Sequence, residues 1–161
     1  MDILNFFSFL GQEGALFIVS MLPIVELRGA IPLGAALGMP WGTTFLIALI
    51  GNILPVPLLI VFGRKILHWL QGTKWFGGFF NRYEEKLVRK AQSALKYSVM
   101  GLCLFVAVPL PGTGAWSGAI IAALLDIRMK YALPAIVLGV FIAGVIMTLG
   151  SYGVVSLFQG I

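Results

Sequence analysis

The sequence predicts an all-α integral membrane protein. Its architecture is an inverted repeat of two re-entrant helical hairpins, each followed by a transmembrane helix, with a central amphipathic interfacial helix. Three observations carry this. The 161 residues are 60% hydrophobic and only 11% charged, with a mean hydropathy of +1.01, whereas soluble domains carry about 25% charge. Two uncharged runs, Gly29 to Gly63 and Tyr97 to Leu125, are 35 and 29 residues long. A complete span takes about 20 residues, so the first run is too short for two spans and a turn. Finally, each half carries a Pro/Gly break, Pro23 to Pro32 and Pro109 to Gly114, where a helix cannot simply continue.

In chain order, Met1 to Asn5 lacks the basic start of a signal peptide. Asp2 to Gly11, with Phe6, Phe7 and Phe9, reads as an interfacial helix. Gly14 to Leu22 gives about ten helical residues, ~15 Å and so half a bilayer. Beyond Pro23 and the Glu26/Arg28 stretch, Gly29 to Gly38 is another short piece. Pro40-Trp41 marks a membrane interface and a helix start. Gly42 to Phe62 is long enough to span, with a kink expected from Asn52, Pro55 and Pro57. A half-span followed by a complete span therefore fits the first uncharged run. Irregular backbone at the hairpin tip is tolerated only where protein or a cavity surrounds it.

Ten basic residues follow: Arg64, Lys65, Lys74, Arg82, Lys86, Arg89, Lys90, Lys96, Arg128 and Lys130. The positive-inside rule places this middle region in the cytoplasm and both termini outside, in the cell (plasma) membrane. The net charge of +5 thus reflects lipid rather than nucleic acid, because aromatic residues interleave with the charges at interfacial spacing. Asn81 and Glu84 form a capping-box pattern, and Tyr83, Leu87, Ala91 and Leu95 share one face of an amphipathic helix on anionic lipid. In the second half, twelve residues precede the Pro109 to Gly114 break and eleven follow it. Asp126 is the expected N-cap of the last span. That span, Tyr131 to Phe158, carries Gly139, Gly144, Gly150 and Gly153, which let helices pack closely.

The chain divides as repeat 1, about 12–66, interfacial segment 67–95 and repeat 2, about 96–158, in one membrane domain. Gly34-Ala35 falls over Gly118-Ala119, and Gly51 over Gly139 after a four-residue insertion. One complete span separates the hairpins, so they enter from opposite sides. A bundle this small with a Gly-rich last span is expected to form a homo-oligomer, most simply a dimer.

Several chemistries are excluded by what the chain lacks. Cys103 and His68 are each alone in their residue class, which opposes a disulfide or a metal site. No P-loop, HExxH, Ser/His pairing or Asp pair is present, so no enzyme and no cofactor are expected. What remains is Glu26 and Arg28, two residues apart in apolar sequence. Such a pair costs several kcal/mol against lipid, so it either sits at the headgroups or faces protein and water inside the membrane. Gly112-Thr113-Gly114 leads into a short helix, whose free N–H groups and positive dipole end would point at the meeting of the two tips. With Arg28 they favour an anion, a phosphate or carboxylate. Glu26 is the proton-coupling candidate, since burial works against its charge, or Arg28 supports that charge if the two pair. The substrate-binding candidates are Arg28, Gly112, Thr113, Gly114, Trp116 and Asn52. Trp116 either stacks on a ligand or fills the space between hairpins. Pro109 to Gly114 either contacts ligand or is only a turn, and Asn52 either lines the cavity or is satisfied by a neighbouring helix.

The stretches Glu26-Leu27-Arg28-Gly29-Ala30-Ile31-Pro32 and Pro109-Leu110-Pro111-Gly112-Thr113-Gly114-Ala115-Trp116-Ser117-Gly118 together resemble the small multidrug export protein family, from about Gly14 to Gly153. That family in turn resembles the DedA superfamily. The resemblance implies opposed re-entrant hairpins and proton-dependent movement of phosphorylated polyprenyl carriers or other membrane lipids. The DedA pattern places acids in the first hairpin and arginines in the second, whereas here Arg28 is in the first. The expected function is a proton-linked transporter or flippase for an amphipathic anion such as an undecaprenyl-type lipid phosphate. A small multidrug exporter of lipophilic cations is the alternative, with Glu26 as counter-charge and Trp116 as a cation–π surface. A non-transporting scaffold is the third. Arg28 discriminates between the first two, because a fixed cation attracts an anion and repels a cationic drug.

Overall fold

A computed structural model describes residues 3–71, 99–110 and 112–159. The expected amphipathic helix, with Lys74 to Lys96, lies outside the described residues, as does Pro111. All regular structure among the described residues is helical. The helices are α1 (Ile3–Met21), α2 (Glu26–Ala36), α3 (Trp41–Ile53), α4 (Val56–Gln71), α5 (residues 99–107), α6 (Ala115–Leu124) and α7 (Met129–Gln159). Gly11, at φ 68°, divides α1 into a first segment and an apolar limb, the left-handed backbone that glycine adopts without steric cost.

Trp41 starts α3 behind Pro40, as expected. The kink falls at Leu54-Pro55, yet Leu54 N–H still donates to Ile50 and Leu59 N–H to the Pro55 carbonyl. The break is thus short, and Trp41–Lys65 forms one apolar stretch of 25 residues. Met129–Leu157 supplies another of 29. Both are long and apolar enough to cross a bilayer. Side chains pin their two ends. Tyr152 Oη lies 2.8 Å from the Met39 carbonyl and 2.7 Å from Thr44 Oγ1. At the other end Arg64 Nε pairs with Asp126 at 3.4 Å and Nη2 donates to the Ile127 carbonyl. The start of one span therefore adjoins the end of the other, and the two run antiparallel.

The short helices follow a common plan. Helix α2 packs on α3 and also on α7; α6 packs on α7 and also on α4. Each terminates with the same three hydrogen bonds. Leu37, Gly38 and Met39 N–H groups donate to Leu33, Ala35 and Gly34; Leu125, Asp126 and Ile127 donate to Ile121, Ala123 and Ala122. Every partner is displaced by 88 residues. Burial follows the same spacing, with Leu27, Ala30, Ile31, Gly34, Ala35, Met39, Ala48 and Gly51 matched by Ala115, Gly118, Ala119, Ala122, Ala123, Ile127, Ile136 and Gly139. The constant spacing corrects the expected register: Gly34-Ala35 corresponds to Ala122-Ala123, and no insertion is needed before Gly51 and Gly139. Asp126 is corrected too. It sits at φ 48° in the turn that closes α6, where Gly38 at φ 70° closes α2, and so caps the end of one helix rather than the start of the next.

Glycines set how closely the limbs approach. A Cβ on Gly51 would meet the Phe17 carbonyl at 2.8 Å, and one on Gly139 the Cys103 carbonyl at 2.7 Å. These are similar contacts, first limb on span, made once in each half, although the carbonyl partners are 86 rather than 88 residues apart. Gly144 is likewise filled by Phe45, whereas Gly150 and Gly153 have nothing within 4 Å. Of the four glycines expected to mediate packing, two do so within the chain. Gly51→Ala and Gly139→Ala should each destabilise by about 1–3 kcal/mol through overpacking. Gly150→Ala should be neutral or stabilising by up to about 1 kcal/mol, the gain in helix propensity. Unfolding by SDS titration in mixed micelles measures all three, and equal effects at the three sites would contradict this packing.

Candidate functional site

The site forms where the two Pro/Gly breaks meet, beside Asn52 near the middle of the Trp41–Lys65 stretch and Val140 on α7. Its chemistry begins with unpaired backbone. A helix that ends inside apolar surroundings leaves carbonyls at its C-terminus and N–H groups at its N-terminus. Three side chains close those ends, and each reaches into the opposite hairpin.

Arg28 donates through Nη1 to the Leu110 carbonyl at 2.7 Å and through Nη2 to Val106 and Val108 at 3.1 and 3.0 Å. It thereby closes the C-terminal end of α5 with a positive charge at the negative end of the dipole. Trp116 stands 88 residues on, and its indole N–H donates to the Met21 carbonyl, the end of α1, at 3.1 Å. Glu26 Oε1 accepts the Trp116 backbone N–H at 3.1 Å, so its carboxylate caps the start of α6. Gly114, 88 residues from Glu26, lies against that carboxylate, and a Cβ there would overlap Glu26 Oε2. Any side chain there would have to displace the carboxylate. Glu26 itself is 7% exposed and holds φ at 50°, a left-handed backbone uncommon for a residue with a Cβ.

This arrangement differs from the expected one in one respect and answers one question that the sequence left open. The N–H groups of α6 are not open to an outside anion, because Glu26 accepts there. Glu26 and Arg28 do not form an ion pair with each other; Arg64–Asp126 is the ion pair among the described residues. The two charges are held instead by opposite ends of two different helices.

A cleft of about 730 Å³ opens beside this clamp. Arg28, Glu26, Gly112, Thr113 and Trp116 border it, together with Ile24, Ile120 and Met147. Thr113 Oγ1 closes the tip turn by bonding to the Val108 and Leu110 carbonyls at 2.7 and 2.9 Å. Gly112, at φ 82°, forms the bend before it. Trp116 borders the cleft while its indole N–H ties it to the Met21 carbonyl across the two breaks. Gly114 and Asn52 do not border it. They face a small interior gap behind Glu26 that has no room for a water molecule. Ser117 and Met147, which the sequence did not single out, complete the cleft. Ser117 lay one residue past Trp116 in the motif, while Met147 had no signal beyond its apolar span.

The fold and site define a membrane protein of two long apolar helical stretches with a cleft between two helix breaks. The chain belongs to the family described as "Putative small multi-drug export protein", whose model matches residues 26–146. The matched segment begins at Glu26, inside the first break, and contains the whole of the second. No curated protein and no solved structure matches the chain.

The clamp makes a definite stability prediction. Arg28→Met removes a charged donor shared by three carbonyls, of which Thr113 still serves Val108 and Leu110, and should cost about 1.5–3 kcal/mol. Trp116→Phe loses one neutral hydrogen bond and should cost about 1–2 kcal/mol. Combining Glu26→Gln with Arg28→Met should give a protein at least as unstable as the worse single variant. Recovery of stability in the double variant would show that the two charges serve only each other.

Proposed function

We propose that the protein is a proton-linked membrane transporter that carries an amphipathic molecule through the cleft, with Glu26 as the proton-carrying group. The observation that carries this is the placement of Glu26. Its carboxylate lies between the cleft and a dry interior gap at mid-depth, held by a backbone N–H rather than by a fixed cation. Intramembrane carboxyls of this kind mark proton relays and substrate pathways.

The architecture of this reading is an inverted repeat of two re-entrant hairpins, related in plan to DedA proteins. The 88-residue spacing and the antiparallel spans support it. So does the length of α2 and α6, which at 11 and 10 residues reach only about half a bilayer. The basic middle region is cytoplasmic in this reading, and a homodimer uses the open α7 face at Gly150 and Gly153.

For the cargo, an amphipathic anion such as a polyprenyl lipid phosphate is the first choice. A guanidinium has five N–H donors, and three Arg28 bonds leave part of its fork for a headgroup oxygen. Ile24, 93% exposed at the rim, continues the cleft toward lipid for an isoprenoid tail. Protonation and cargo then support each other. With Glu26 ionised the two formal charges offset; with Glu26 neutral, Arg28 stands alone and attracts the anion. Linkage makes this reciprocal, so bound anion favours the proton. The family description favours a second reading, export of a lipophilic cation against ionised Glu26 and the Trp116 ring.

Transport in proteoliposomes with an imposed pH gradient separates the two. A labelled polyprenyl phosphate should move in a gradient-dependent manner, Glu26→Gln should bind it without that dependence, and Arg28→Lys should retain part of the flux. Gradient-driven efflux of a lipophilic cation, with no phosphate movement, would overturn the first reading and establish the second.

A further inference from the structure

Asn52 is 2% exposed, and its Oδ1 has no hydrogen-bond partner among the described residues. An amide carbonyl buried in that condition costs about 1–3 kcal/mol, so it calls for a reason. Its surroundings supply one. Asn52 and Glu26 border the same interior gap, opposite Gly114 and Val106. The gap is too tight for water, so no solvent molecule can serve Oδ1 there. The Val106 carbonyl is already held by Arg28. Val140, at the position 88 residues on, faces the gap without any polar side-chain group.

An ionised carboxylate is an acceptor only, and both the α6 N-terminus and Arg28 suit it in that form. A protonated carboxyl has an O–H that must find an acceptor. We infer that Asn52 Oδ1 receives the O–H of Glu26 once that carboxyl takes up a proton from the cleft, which makes Asn52 a positioning residue of the proton cycle. The inference rests on the reading that Glu26 carries the proton. The step is a simple proton transfer: a hydronium at the cleft loses a proton, an O–H bond forms on Glu26, and a water molecule remains behind. Asn52 exchanges no proton; it turns an orphaned acceptor into a partnered one. Among the described residues the charged and polar groups around Glu26 are few, with Thr113 and Ser117 bordering the same cleft. Arg28 lies on its own helix, Trp116 N–H and the neighbouring Ala115 N–H come from α6, and Asn52 comes from α3. Val106 from α5, and Val140 and Ala143 from α7, add no titratable group.

The sign of one substitution distinguishes this role from a structural one. Asn52→Val removes the acceptor for the neutral acid and also makes the gap more apolar. Loss of the acceptor disfavours the protonated form; greater apolarity favours it. The probe is difference infrared spectroscopy of the full-length protein in lipid vesicles during a pH titration, with the Glu26 carboxyl band identified by its absence in Glu26→Gln. In Asn52→Val the band should move to the higher frequency of a free carboxyl, and half-protonation should require roughly tenfold more protons, the worth of one hydrogen bond near 1.4 kcal/mol. Asn52→Gln, which keeps the amide, should restore part of both. An unmoved band, or half-protonation at higher pH, would overturn the role of Asn52 while leaving Glu26 as the proton group. Absence of any titrating band that Glu26→Gln removes would instead overturn the reading of Glu26 itself. If Asn52→Val fails to fold, Asn52→Ala in the same titration carries the same two outcomes.

Discussion

A helix that stops halfway through a bilayer exposes backbone groups that hydrocarbon cannot satisfy, at a cost of several kcal/mol each. The rest of this structure depends on how those ends are closed. Helices α1 and α5 end where the two Pro/Gly breaks meet, and α6 begins there. Arg28, Trp116 and Glu26 close them, each from the other hairpin. The start of α2 needs no such help, because the preceding turn continues its bonding from Leu22 and Val25 to Glu26 and Gly29. It follows that neither half has a satisfied tip without the other, and that the two tips form one cooperative unit.

This arrangement explains why a charged pair persists in apolar sequence. Charges matched to helix ends are stabilised by dipoles as well as by hydrogen bonds. Gly114 is the complement, since the carboxylate occupies the space its side chain would need. The left-handed backbone of Glu26 is a further cost, of a kind that collects at functional sites. In the proposed function this one carboxylate is both structural cap and proton carrier, which links the two tasks. Neutralising it weakens its hold on α6, so protonation and the hairpin contact are tied through a single side chain.

The sequence made much of this legible. Charge-free run lengths marked the spans, Pro40-Trp41 marked the start of α3, and the two Pro/Gly breaks marked the tips. Pairing across the hairpins was not legible. Residues two apart on a helix do not face one another, so Glu26 and Arg28, which look like partners on paper, point to different helix ends. The register was misread because glycine identity was followed where burial is the shared property: Gly34 and Ala122 are equivalent through smallness and position, not through residue type. Asp126 misled for a related reason. An acid before a helix resembles an N-cap, and only the backbone shows it ending α6 in the place that Gly38 holds after α2. Asn52 was visible as a polar residue in a span, yet its separation from the cleft by Glu26 depends on packing that no local pattern encodes.

In the proposed architecture, with each tip closing the other, the two hairpins enter from opposite faces of the membrane. The turns after α2 and α6 test this directly, because Gly38 and Asp126 are both exposed and lie at opposite ends of the antiparallel spans. Single cysteines at these positions, in a protein whose Cys103 is replaced by serine, can be labelled in oriented vesicles with a membrane-impermeant thiol reagent. The account predicts that Gly38→Cys reacts from one side only and Asp126→Cys from the other side only. Labelling of both from the same side would contradict it.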